Sequence, residues 1–216
     1  QTYHSGKWHI DGKPLGEGFD RSYWLADTDR HFSPNEHYEN DIKLPPVPRG
    51  TDYYSSTAIT NHAIKCISEH IDRGEGKPFF SYVAYISPHF PIMAPAADIA
   101  KYKGRFDAGW DKLREERRNK LKHLGILDCE LSERTPGVPA WDSLSDADKA
   151  LWTARMEVHA AMVDRMDAEI GRVVEVLRAK GKLQNTVILF LSDNGASAEK
   201  LVRGDGNKPG AVAGSA

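Results

Sequence analysis

Five side chains in this sequence have types and spacing that could do chemistry together. Ser192-Asp193-Asn194-Gly195 closes an apolar run, and Asp193 with Asn194 sets two hard oxygen donors side by side. Such donors suit Ca²⁺ or Mg²⁺ and lack the softness that zinc favours. Near the start, Lys7 and His9 flank Trp8. In an extended backbone the cation and the imidazole then face one way while the indole packs the other way. His89 lies in Ser87-Pro88-His89-Phe90-Pro91, where two prolines fix φ and hold the residues before them extended, so the imidazole is presented from a stiff loop. A metal, a lysine and two imidazoles form a set suited to a tetrahedral oxyanion, with metal and lysine holding charge and the histidines moving protons. Plainer readings stand beside this one. Lys7, His9 and His89 can be ordinary surface residues, and Asp-Asn-Gly can be a hairpin turn. A hairpin needs a second strand directly after the turn, which the stretch from Ala196 to Gly210 does not supply.

The elements that must position these residues follow from periodicity. Thr186 to Ala196 reads TVILFLSDNGA, and its unbroken run Val187-Ile188-Leu189-Phe190-Leu191 predicts a strand covered on both faces, with the polar residues just past its carboxyl end. Residues 3–10 predict a short strand entered through Gly6, and residues 11–52, rich in Gly, Pro, Asp and Asn, predict mostly loop with short strands. Ile59, Ala63, Cys66, Ile67 and Ile71 recur at helical spacing, which predicts a helix from Ser55 to Arg73 with Ser55 or Ser56 as its cap and His62 and His70 as ordinary helix residues. Phe79 to Ile86, FFSYVAYI, predicts a second buried strand that delivers His89. Residues 107–125 predict a charged surface helix. A long helix follows from Ser145 to Lys180, with Val158, Met162, Met166, Ile170, Val173 and Leu177 as its core stripe. Helices alternating with apolar strands point to an α/β layer, and a parallel sheet would bring the three strand ends to one edge.

Composition narrows the partners. The 216 residues suit one core, and 29 Lys+Arg against 31 Asp+Glu give no reason to expect nucleic acid or a membrane surface as a partner. No apolar run approaches the ~20 residues of a membrane span. Cys66 and Cys129 match no metal or redox spacing. The chain starts on Gln1 and ends on Gly-Ser-Ala, from which we expect a piece of a longer protein.

The ordered set GKWH (Gly6 to His9), PHFP (Pro88 to Pro91) and SDNG (Ser192 to Gly195) resembles the type I, formylglycine-dependent sulfatases of the alkaline-phosphatase-like superfamily. DAGWDKLREER and ARMEVHAAMVDRMDAEIGRVV are similar to the middle of a bacterial arylsulfatase, so the resemblance covers nearly the whole chain. It implies an α/β fold with a mostly parallel sheet flanked by helices, incomplete at both ends, in which residues 1–216 are the middle portion of the catalytic domain. Carried over by position, Asp193 and Asn194 would be ligands of Ca²⁺, in preference to Mg²⁺. Lys7 would contact sulfate and nucleophile. His9 would hydrogen-bond the formylglycine hydrate and take its proton when the sulfated intermediate collapses, and His89 would touch the sulfate and help the leaving alcohol depart. The implied reaction is attack of the hydrated aldehyde on sulfur, loss of the alcohol, and expulsion of sulfate with return of the aldehyde. The implied partners are a sulfated sugar, aryl ester or other small sulfate ester and a formylglycine-generating maturation enzyme; the implied location is periplasmic or outside the cell.

The sequence also departs from the family pattern. The nucleophile motif, Cys-x-Pro-x-Arg or Ser-x-Pro-x-Arg, is expected before GKWH; Cys66 is followed by Ile67-Ser68 and Cys129 by Glu130-Leu131. An early aspartate pair and a further lysine after SDNG are also missing, since Lys200 and Lys208 follow the motif too closely. The 216 residues alone are therefore expected to be inactive. Two other readings remain open: a phosphodiesterase or phosphonate monoester hydrolase of the same superfamily, and a non-catalytic relative that binds a sulfated glycan through the basic helix.

Overall fold

The first strand, β1 (Thr2–Lys7), runs parallel to a neighbour on each side, β2 (Arg21–Leu25) and β5 (Phe80–Ala84). The structure is a computed structural model and describes residues 1–74 and 76–195. Beyond β2 the sheet continues antiparallel through β3 (His37–Glu39) and β4 (Ile42–Lys43), giving the order β4-β3-β2-β1-β5. The parallel centre agrees with the α/β expectation. The antiparallel edge is built from short strands in the Gly/Pro-rich stretch.

Helix α1 (Ser55–Asp72) covers one face of this sheet. Its stripe Ile59, Ala63, Cys66 and Ile67 is buried, and Ile59 joins Tyr23, Leu25 and Ile86 in one apolar cluster. Each buried isoleucine or leucine here contributes about 2 kcal/mol. The serines do not cap the helix. Tyr54 stands at the N-cap position and makes no side-chain capping bond, while Ser55 is bonded to His31 Nδ1 (2.9 Å) and Ser56 to Ser87 (3.1 Å). The Ser55 N–H donates instead to the His31 carbonyl at 2.8 Å, which satisfies a helix-start donor by another route.

The described chain forms two compact units, residues 1–87 with 166–195, and residues 88–165. The second unit is helical, with α2 (Ala96–Ala100), α3 (Gly109–His123) and the first part of α4 (Asp146–Ala179). Ser145 accepts the Asp148 N–H at 3.1 Å and bonds its carboxylate at 2.6 Å, which starts α4 as its capping pattern predicts. Ala94, Ala161 and Met162 form this unit's core. Asp98 is buried there against Arg165 Nε (2.7 Å) and Lys101 Nζ (2.9 Å). In the first unit, the later part of α4 is tied to α1. Thr57 donates to buried Glu169 at 2.8 Å, and Arg172 bonds both Glu169 and Asn61.

Two strand expectations change. β5 exposes Phe80 and Tyr82 along one face, so FFSYVAYI is half-buried rather than enclosed. Val187 to Leu191 is not in a ladder and is exposed, with Val187 at 86% and Leu189 at 83%. Thr186 does enter the run with extended dihedrals. A strand, however, exists only when a neighbour takes its N–H and C=O groups, and no described strand pairs with this one. Apolar character marked the segment as strand-like but could not provide its partner.

Candidate functional site

Lys7 is the last residue of β1, at the carboxyl end of the parallel strands, where α/β sheets gather ligands. Two close approaches hold the chain there. Gly6 has φ +127° and lies in register with Ala84 of β5; a Cβ on it would stand 1.9 Å from the Ala84 carbonyl oxygen. On the same strand, His4 Nε2 lies 3.1 Å from the Lys7 carbonyl oxygen.

After Lys7 the strand ends, and Trp8 folds against His4 and Phe19 with ring centroids at 5.1 and 6.0 Å, its indole N–H donating to the Gly12 carbonyl at 3.2 Å. Trp8 is thus half-buried and His9 exposed, so Trp8 packs as predicted while the strand itself stops before His9. Neither the Lys7 ammonium nor the His9 ring has a hydrogen-bond or ion-pair partner among the described residues.

β5 leaves the sheet at the same edge as β1, and Ser87 is anchored beyond it by the hydroxyls of Ser56 (3.1 Å) and Tyr54 (3.4 Å). His89 follows in the second unit and is exposed. Its Nδ1 lies 2.6 Å from the Phe90 carbonyl oxygen. A carbonyl can only accept, so Nδ1 carries the proton and Nε2 is the nitrogen left for a ligand.

Asp193 and Asn194 sit in an exposed bend. Ser192 donates to the Asn194 carbonyl at 2.6 Å, and the Asn194 amide nitrogen donates to the Gly195 carbonyl at 2.8 Å, a bond in which its side-chain oxygen takes no part. The donor chemistry fits Ca²⁺, which takes six to eight oxygens; two of them are present here. No group of three or more His, Cys, Asp or Glu able to hold a metal occurs among the described residues. Ala196, Lys200 and Lys208 lie outside the described residues.

Several polar groups around β1 escaped the sequence reading. Tyr3 and Ser5 face α1, where Tyr3 bonds His70 Nδ1 (2.9 Å) and Ser5 bonds His62 Nδ1 (2.8 Å). Cys66 lies 3.5 Å from His62 Nε2. Burial pushes the Cys66 thiol up to about 11 and the His62 ring down to about 4, so both are neutral packing groups at physiological pH. His4 faces the other way, fully buried. Only the period-2 alternation of TYHSGK carried a signal for this split, and it does not reveal which face is covered.

The family model for sulfatases matches residues 1–214, and the chain belongs to the sulfatase family. An uncharacterised sulfatase of Schizosaccharomyces pombe is 33% identical, covering 93% of this chain and 39% of that protein. An arylsulfatase of Klebsiella aerogenes is 30% identical, covering 91% of this chain and 45% of that enzyme. The chain thus spans less than half the length of these relatives. A sulfatase structure from Bacteroides fragilis superposes with TM-score 0.58 at 18% identity, over 85% of this chain and 38% of its own. A protein solved with its substrate D-glucosamine-2-N,6-O-disulfate superposes with TM-score 0.53 at 21% identity, over 86% of this chain and 45% of its own. These likenesses agree with the α/β, alkaline-phosphatase-like fold.

Proposed function

We propose that the intact protein hydrolyses a sulfate ester, of a sulfated sugar or of an aryl alcohol. The observation that carries this reading is Lys7-Trp8-His9 at the carboxyl end of β1 in a sulfatase-family chain, with both ionisable groups unpaired among the described residues.

Lys7 supplies a compact positive charge to a sulfate oxygen, and this interaction strengthens as charge builds on that oxygen in the transition state. His9 accepts a proton at a ring nitrogen as sulfate is expelled. His89, with Nδ1–H committed to the Phe90 carbonyl, uses Nε2: as imidazolium it donates from Nε2 to the departing alcohol oxygen. Asp193 and Asn194 would hold Ca²⁺ through their side-chain oxygens, and the ion would neutralise sulfate charge. A formylglycine hydrate, made by a maturation enzyme from an upstream Cys or Ser, would supply the attacking oxygen. Neither Cys66 nor Cys129 lies in the motif that would be converted. The 216 residues alone therefore release no sulfate. An exported location, periplasmic or extracellular, accompanies the same reading.

The test is sulfate release from 4-nitrophenyl sulfate and from glucosamine 6-sulfate by the intact protein and its Lys7→Ala and His9→Ala variants. We expect both variants to lose on the order of 10²-fold or more in kcat. Faster turnover of bis(4-nitrophenyl) phosphate than of either sulfate would replace this reading with a phosphodiesterase. Tight binding of a sulfated glycan without turnover would replace it with a non-catalytic binding protein.

A further inference from the structure

His4 is the most enclosed ionisable side chain near the GKWH turn. It is 0% exposed, and its ring sits among Trp8, Phe19 and Tyr82 with centroids 5.1, 5.4 and 5.6 Å away. Three aromatic neighbours make an apolar box of a size that a phenylalanine ring would also fill. A histidine there instead carries a buried Nδ1 with no hydrogen-bond partner among the described residues. Such an atom is expensive to bury, and the other ring nitrogen is the one that makes a polar contact. That nitrogen, Nε2, lies 3.1 Å from the carbonyl oxygen of Lys7. Because a carbonyl only accepts, the ring is the Nε2–H tautomer and donates to Lys7.

The bond falls where the ladder stops holding the chain. Gly6, at φ +127°, departs from strand geometry, and Lys7 is the last paired residue. From the other side the Ala84 carbonyl is pressed against Gly6. The Lys7 peptide is thus held by the β2 ladder, by the Ala84 contact one residue earlier, and by His4 reaching forward three residues. Trp8 then packs on the His4 ring itself, so the same side chain sets the backbone that aims Lys7 and the indole that lies between Lys7 and His9. We propose that His4 is a positioning residue for the sulfate-ester reaction, its Nε2–H bond to the Lys7 carbonyl fixing the direction in which Lys7 and His9 are presented. This rests on the reading of Lys7 given above. Burial keeps the ring neutral, its pKa pushed down to about 4 against the smaller opposing effect of the Lys7 carbonyl bond, so the donor persists across the working pH range.

The experiment compares His4→Phe, His4→Gln and Lys7→Ala in the intact protein with 4-nitrophenyl sulfate, alongside thermal melts. Phenylalanine fills the aromatic box without a donor, while glutamine places an Nε2–H donor at similar reach. We expect His4→Phe to melt within a few degrees of wild type yet lose about 10- to 100-fold in kcat with little change in KM, as a displaced catalytic group does. His4→Gln should recover most of that loss despite packing less well. A purely structural role gives the reverse order, Gln worse than Phe in both melting and turnover, and overturns the proposal. If Lys7→Ala abolishes turnover while His4→Phe retains wild-type kcat, the positioning role is wrong and the reading of Lys7 stands. If Lys7→Ala is fully active, that reading fails and the positioning role with it. Long-range ¹H–¹⁵N spectra of the protein labelled at histidine give a check independent of turnover and of any variant's folding. A neutral Nε2–H ring at pH 7 is expected for His4, and an Nδ1–H ring overturns the assignment.

Discussion

The carbonyl oxygen of Ala84 occupies the space that any side chain on Gly6 would need. An added Cβ would lie 1.9 Å from that oxygen and 2.7 Å from its carbon, both backbone atoms that cannot rotate away. Gly6 also has φ +127°, a backbone conformation that L side chains rarely adopt. The residue before the candidate lysine is thus glycine for two independent reasons.

Gly6→Ala should separate β5 from β1 at this point and turn Lys7 away from its position. A loss of about 3 kcal/mol in unfolding free energy is expected, together with near-complete loss of sulfate release. Denaturant unfolding and turnover of the intact variant measure the two effects. Wild-type stability would mean that the two strand ends do not meet as described.

Asp98 is expected to be the most sensitive charged position of the second unit. Burial alone would raise its pKa, but the bonds from Arg165 and Lys101 outweigh this and lower it. Removing the carboxylate leaves Arg165 Nε, 2.7 Å away, without its buried acceptor. Because Arg165 and Lys101 retain partial access to water, Asp98→Ala should cost about 2–3 kcal/mol, below the cost of breaking a fully buried pair. Equilibrium unfolding of the intact variant measures this, and a change within ~0.5 kcal/mol would show that the pair contributes little.

Stability should fall on mild acidification. The pKa values of His4 and His62 are pushed down to about 4 by burial, whereas an unfolded imidazole titrates near 6.5. Between those values the unfolded chain binds protons that the folded chain does not, so unfolding free energy rises with pH. The contribution is complete above about pH 6.5 and is lost as pH falls toward 4, with an upper bound on the order of 3 kcal/mol for each ring. Melting between pH 7.5 and 5, before most carboxylates titrate, tests this. His62→Gln should show a shallower decline than wild type across that window.

The metal assignment predicts that Ca²⁺ raises the melting temperature of the intact protein and that a chelator removes both the shift and the turnover. Asp193→Ala should weaken Ca²⁺ affinity by at least about tenfold, read by calorimetry. Unchanged affinity would remove Asp193 from the ligand set.

Much of the fold could be read from local pattern. Helix α1 was predicted over Ser55 to Arg73 and observed over Ser55–Asp72, because Ile59, Ala63, Cys66 and Ile67 repeat at the helical period whatever lies opposite. Helix α4 likewise begins at its Ser145 capping pattern and ends before Gly181. The candidate residues Lys7, His9, His89, Asp193 and Asn194 came from residue types and motif order.

Other features depended on partners distant in the chain, which no local pattern records. Ser55 and Ser56 had the chemistry of helix caps, but His31 and Ser87 claimed their hydroxyls. Val187 to Leu191 had the composition of a buried strand, but burial and pairing are properties of neighbours, and the described residues leave the run exposed. His4 shows the same division most sharply. Its sequence position three residues before Lys7 was plain from the start. Only the packing of Trp8, Phe19 and Tyr82 around it decided that its ring would be neutral, buried and directed at the Lys7 carbonyl, because those contacts join two strands and a loop in three dimensions.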